Sequence, residues 1–317
     1  MSEWLLDEQV RKNRELRSGW DRFRHHRTLA TKLVVASQPA EESAAAGGER
    51  GDEGAGAGRP SHESPSHARR LVVLGAGNCN DLDLTELASR FDEVHLVDID
   101  AEALSAARQI QPAADWSRIR DHGGVDITGE FDRLSSWTED HPATLADFRA
   151  LAAEIRERRD SLPPMLSIEP ADVVVSICVL SQLMHAVAAV PGVGHPDCLE
   201  LMTAVRADHL RRMFAMLRPG GCAVLIADFV SSDTAPELLQ CRSAEQLEPL
   251  VVKLIERQNF FTAMNPSVLL RLPHQEPLLK GVAAKTRVTR PWLWDLGPRL
   301  YAVCAISWIK AENAEIA

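Results

Sequence analysis

Apolar residues along the chain change their period twice. In the first 36 residues Leu6, Val10, Leu16, Trp20 and Phe23 recur at helical spacing, and Asn13 is the one polar residue on that line. This predicts one or two amphipathic helices whose apolar face has to be covered, with the rest of the chain as the nearest cover. From Ser37 to Ala68 there is no Val, Ile, Leu, Met, Phe, Trp or Tyr, while six of the 18 glycines and three prolines fall there. Such a stretch buries too little apolar surface to offset the entropy of ordering it, so residues 37–68 are expected to be a disordered linker.

From Arg69 onward short apolar runs alternate with amphipathic ones. Leu71–Leu74, Glu93–Asp98, part of Ser117–Ile127, Asp172–Val179 and Cys222–Phe229 read as buried strands. Asp81–Phe91, Ala101–Gln109, Leu145–Arg159, Cys198–Leu217 and residues 244–258 read as helices. Pro163-Pro164 stops one of them and Arg218-Pro-Gly-Gly221 another. Arg287–Trp294 and Arg299–Trp308 are separated only by Asp295-Leu-Gly-Pro298, too short for a parallel crossover, and are expected to pair antiparallel. Together these predict an α/β doubly wound, mostly parallel sheet with helices on both faces. The chain divides into a helical arm (1–36), the linker (37–68) and one domain (69–317).

With 45% hydrophobic and 25% charged residues the composition is that of a soluble globular chain. A net charge of -10 argues against a surface devoted to nucleic acid, although the arm carries eight Lys/Arg against five Asp/Glu. Apolar runs reach only about eight residues, as in Val173–Leu180, far short of the roughly 20 that span a bilayer, so no membrane partner is expected. The charged, amphipathic start does not resemble a secretory signal. The six cysteines (79, 178, 198, 222, 241 and 304) form no CxxC pair, which points to reduced, mostly structural thiols and a cytoplasmic protein.

Ligands of such sheets bind beyond the carboxyl ends of the strands. The first such loop reads Leu74-Gly75-Ala76-Gly77-Asn78-Cys79-Asn80-Asp81. Gly75 permits a tight turn and Gly77 lets a ligand approach the backbone; a purely structural turn is the alternative. Asp98, 21 residues beyond Gly77, can take both hydroxyls of a ribose, or cap the next helix, a role that suits Asp100 better. A dinucleotide fingerprint would place a third glycine where Asn80 stands, which disfavours NAD. Asp126, with Ile127 after it, can accept the exocyclic amine of adenine, or initiate a turn.

Gly75-Ala-Gly77, Asp98, Asp126, the segment Asp172–Leu183, Leu217-Arg-Pro-Gly-Gly221 and the terminal strand pair occur in an order that resembles the class I S-adenosylmethionine-dependent methyltransferases, over about residues 70–309. The resemblance implies a Rossmann-like, seven-stranded sheet with an antiparallel last strand and S-adenosylmethionine as cofactor. It implies that Gly75 and Gly77 pass beside the methionine part, Asp98 holds the ribose, Asp126 and Ile127 hold adenine, and Ser176 to Cys178 flank the sulfonium. Asn78 and Ile99 join the cofactor-binding set. The chain departs from the pattern at the third small residue, where Cys79 and Asn80 stand.

After the fourth strand, Gln182 is a candidate positioning group and His185 a candidate base, with a solvated or core histidine as the alternative. No Asn-Pro-Pro-Tyr signature for amide or ring-amine methylation follows this strand. His195-Pro-Asp197-Cys198 reads as a helix-entry turn and not a metal site, and no metal is expected. Asp228 faces substrate or a loop. Trp292, Trp294, Trp308 and Tyr301 read as sheet packing. Trp20, Arg22, Phe23, His25 and His26 either close over the substrate opening or dock elsewhere. The expected activity is methyl transfer to a small molecule; the alternatives are a non-catalytic methyltransferase-like module and a nicotinamide oxidoreductase.

Overall fold

The computed structural model describes residues 4–39, 68–158, 166–192 and 198–314. The linker lies almost wholly outside these residues, as do Pro163-Pro164, His195 and Asp197. The arm forms α1 (Trp4–Leu16) and α2 (Arg24–Ala36), with a 3-10 turn at Arg17–Gly19 between them. The body continues β1 (Arg70–Leu74), α3 (Leu84–Arg90), β2 (Glu93–Asp98), α4 (Ala101–Ile110), β3 (Ile119–Gly123), α5 (Phe131–Ser136), α6 (Leu145–Glu157), β4 (Ala171–Ile177), α7 (Val179–Ala188) and α8 (Cys198–Ala215). It ends with β5 (Leu217–Ser231), α9 (Ala244–Glu256), α10 (Pro266–Gln275), β6 (Ala283–Val288), β7 (Trp292–Asp295) and β8 (Leu300–Lys310).

Short-range chemistry sets several of these boundaries. Asp83 accepts from Glu86 N and starts α3 there, three residues later than its apolar pattern suggests, which leaves Asp81 in the loop. Asp100 caps α4 through Ala103 N, so Asp98 is free of that task. Thr144 and Asp147 close a reciprocal capping box at the head of α6.

The strands order β3-β2-β1-β4-β5-β8-β6, with β7 also on β8. Strands β1 to β5 are parallel and β8 inserts antiparallel beside β5. The fold is Rossmann-like, and its strand order reverses between β1 and β4, where a doubly wound sheet binds ligands. Among the described residues there are eight strands and not seven, because the outer partner of β8 is interrupted. Pro291 has no N–H to give, so β6 pairs with Ile306–Lys310 and β7 with Leu300–Val303, while Thr289 bridges the gap by accepting from Ala305 N through its hydroxyl. On β5 the register slips between Asp228 and Val230, a bulge at the carboxyl end of the strand.

Two apolar cores cover the two sheet faces, and β4 is buried along its whole length. The arm belongs to both: Leu5 enters one core and Phe23, Ala30 and Val34 the other. All six cysteines are buried. Among the described residues no helix is long and apolar enough to cross a membrane.

Candidate functional site

One cleft opens at the carboxyl ends of β1, β2 and β4. Its floor is the glycine loop. Gly75 has φ +73°, and a Cβ there would stand 2.6 Å from Val179 Cβ at the start of α7, so no larger residue fits. Gly77, at φ +49°, directs its N–H to Asp98 Oδ2 at 2.7 Å, while Asp98 Oδ1 accepts from Asp100 N at 2.8 Å. Burial pushes the Asp98 carboxyl up to about 6, against the pull of these two N–H groups. A carboxylate has room for further donors, so Asp98 can still accept from a ligand hydroxyl.

Ile99, Val125, Asp126 and Ile127 line the next part of the cleft. Asp126 turns out to initiate a turn: Oδ1 accepts from the N–H and hydroxyl of Thr128, and Oδ2 from Phe131 N at the start of α5. It shapes the wall as well as lining it. Behind this loop a charged cluster holds the backbone. Arg158 and Arg212 each donate to Thr128 O at 3.1 Å, Glu130 pairs with Arg158, and Asp208 pairs with both Arg211 and Arg212.

Beyond β4, Ile177, Cys178, Val179, Gln182 and Leu183 form the opposite wall. Cys178 sits in the left-handed region at φ 50°, turning the chain from strand into helix. Gln182 donates to Cys178 O at 3.1 Å. Two expected site residues lie elsewhere. Strand alternation points Ser176 away from the cleft toward α8, where its hydroxyl meets His209 Nε2 at 2.7 Å with no exposure. His185 is outside the cleft and about half exposed, with Nε2 3.4 Å from Glu8 of α1, so the docked arm takes it up as a surface partner.

The arm supplies what the sequence left open. Gln9, Asn13, Leu16 and Phe23 line the cleft, which places α1 across its mouth. Asn13 donates to Asp100 Oδ2 at 3.0 Å, and its carbonyl accepts from Asn78 at 2.7 Å. Asn80 grips Leu16 O, and Arg27 returns to Asn80 O. Asp81 and Trp294 complete the lining, so Trp294 is more than sheet packing; Trp308, by contrast, is fully buried against Phe214. Asp228 is not in the lining and accepts from Ser181 at 2.6 Å. No group of three or more His, Cys, Asp or Glu among the described residues is placed to hold a metal.

No protein-family model matches the chain, and no curated protein matches it in sequence. Solved structures similar to it include an amino pentose methyltransferase from Micromonospora echinaspora with S-adenosylmethionine bound, at 21% identity, covering 50% of this chain and 42% of that one, TM-score 0.25. An N-methyltransferase from Bradyrhizobium japonicum is 14% identical, covering 77% and 86%, TM-score 0.36. An arsenic(III) methyltransferase from Chlamydomonas reinhardtii is 16% identical, covering 90% and 75%, TM-score 0.37. The chain spans only 42% to 53% of the length of the first three such structures.

Proposed function

We propose that the protein is an S-adenosylmethionine-dependent methyltransferase acting on a small molecule. The observation that carries this reading is the convergence of Gly75, Gly77, Asp98, Ile99, Asp126 and Ile127 on one cleft at the switch point of a sheet with an antiparallel β8. The residues fit the cofactor. Asn78 Oδ1 is buried without a hydrogen-bond partner in the cleft lining, where an acceptor suits the ammonium of a methionine moiety. Asp98 would take the ribose, Ile99 and Ile127 would lie against the base, and Cys178 with Gln182 would border the reacting end. The position that a nicotinamide site keeps as glycine is Asn80, whose side chain is occupied in holding the arm.

S-adenosylmethionine supplies an already activated methyl group, so the protein's task is alignment and exclusion of water. The arm closes the cleft over that end, and Ile177, Val179 and Leu183 keep its wall apolar. Thermal melting with S-adenosylmethionine, S-adenosylhomocysteine and NAD tests the reading. Either adenosyl compound at 100 times its Kd is expected to stabilise the wild type by roughly 2.7 kcal/mol, NAD not at all, and Asp98→Ala is expected to lose the response. Absence of any adenosyl-induced shift rejects it; binding with no transfer to any acceptor points to a non-catalytic module.

A further inference from the structure

At the arm end of the cleft, one carboxyl oxygen of Asp81 is held without a hydrogen-bond partner. Its side chain is about one-fifth exposed and it lines the cleft, yet Oδ1 is fully buried and makes no hydrogen bond. Nε2 of His26 on α2 stands 3.4 Å from it, likewise without a hydrogen bond. His26 itself is fixed. Its Nδ1 accepts from Trp292 Nε1 at 3.0 Å, so the ring proton sits on Nε2, and Trp294 stacks on the ring at 4.8 Å. Phe23 meets Trp294 edge to face, so a wall of two aromatic rings stands beside the carboxyl group.

We propose that Asp81, with His26 of the arm behind it, is the group that receives the proton of the methyl acceptor, and that the acceptor is a hydroxyl or amine carried on an apolar or aromatic body lying against Phe23 and Trp294. This deepens the methyltransferase reading and rests on it. Buried polar atoms are ordinarily paired, so a carboxyl group whose inner oxygen rests 3.4 Å from a neutral N–H without a hydrogen bond, and whose exposed part lines the cleft, is placed to take a ligand's O–H or N–H. As the bond from the acceptor's oxygen or nitrogen to the methyl carbon forms, the sulfur–carbon bond breaks and sulfur keeps its electron pair. The acceptor's proton passes to Asp81 and then to water.

The groups around Asp81 suit the role. Burial pushes its carboxyl up to about 7; Arg27 on α2 opposes this and Asp228 on β5 adds to it, while Cys79 and Cys178 are close enough to feel its charge. Burial drives His26 down to about 3, so it stays a neutral donor and Asp81 remains the titrating partner. A carboxyl group poised near neutrality both takes and releases a proton at working pH.

Two readouts on the full chain test the proposal. In protein labelled with 13C at the aspartate side-chain carboxyl, the resonance missing from Asp81→Asn is expected to titrate between pH 6 and 8; titration below pH 5 overturns the proposal, whether or not an acceptor turns over. Methyl transfer to 2-naphthol, which must shed a proton, and to 2-thionaphthol, already ionised at pH 8, gives the second readout. Asp81→Asn is expected to lower kcat on naphthol by about 100-fold or more, to leave the thiolate reaction within a few-fold, and to recover in part as Asp81→Glu. Equal losses on both probes also overturn it. Should Asp81→Asn fail to fold, Asp81→Ser takes its place. Wild type that binds no S-adenosylhomocysteine defeats the methyltransferase reading, whereas binding with a low Asp81 titration defeats this inference alone.

Discussion

Single residues in the first loop carry distinct physical demands that the two glycines separate. Both have positive φ, but the space around them differs: a Cβ on Gly75 collides with Val179, while on Gly77 it meets only Asn13 Oδ1 at 3.4 Å. Gly75→Ala therefore combines backbone strain with a clash between β1 and α7, and is expected to cost about 2–4 kcal/mol in urea unfolding. Gly77→Ala carries the strain term alone, roughly 1 kcal/mol or slightly more, but it puts a methyl group on the cleft floor beside Asp98. Calorimetric titration with S-adenosylhomocysteine should therefore show Gly77→Ala weakened far more than its stability loss accounts for. Equal destabilisation by the two substitutions would contradict the assigned contacts. Both glycines were legible in the sequence because the strand, tight turn and helix are written in adjacent residues. Asp81 was not, since its significance depends on α2 and β7 arriving from the two ends of the chain.

Among the elements, α8 shows where apolar periodicity stops being informative. The pattern predicts a helix over Cys198–Leu217, and Cys198–Ala215 is helical, but hydrophobic spacing does not distinguish a buried charged face from a solvated one. Here Arg206, Asp208, His209, Arg211 and Arg212 are all buried. Asp208 neutralises two guanidinium groups, one of which holds Thr128 O and so fixes the loop after β3. Asp208→Ala leaves those cations uncompensated and is expected to cost about 3–5 kcal/mol, the usual penalty for breaking a buried pair, and to weaken adenosyl binding through the loosened loop. Glu200, on the same helix and paired with Arg156 at the surface, is the control: Glu200→Gln should change stability by less than about 1 kcal/mol. Denaturant unfolding of both variants decides whether the network anchors the loop. The strand pairing at the other edge was legible in outline, because a short turn permits only antiparallel neighbours. The split of its outer partner was harder to see, since it rests on one missing N–H at Pro291.

At the scale of the whole molecule, the arm is both a core element and the cover of the cleft, and these two roles are separable. Phe23, Ala30 and Val34 complete the core on one sheet face, so removing the arm would expose that core and mask any effect on binding. Asn13 is different: it interrupts the apolar line of the arm, and its side chain donates to Asp100 while its backbone carbonyl accepts from Asn78, directly above the glycine loop. Asn13→Ala keeps the apolar line and improves helix propensity, while removing the side-chain bond to Asp100. A charge-assisted hydrogen bond of this kind contributes roughly 1.5–3 kcal/mol. If α1 must lift for a ligand to enter, the lost bond lowers the barrier to lifting, and both association and dissociation of S-adenosylhomocysteine should quicken by about tenfold with Kd little changed. If α1 only touches the bound ligand, dissociation alone should quicken and Kd should rise. Because the Asn13 side chain bonds to the protein at Asp100, the first outcome is the expected one. Stopped-flow tryptophan fluorescence resolves the two rates, and an unchanged association rate would show that the cleft fills without movement of the arm.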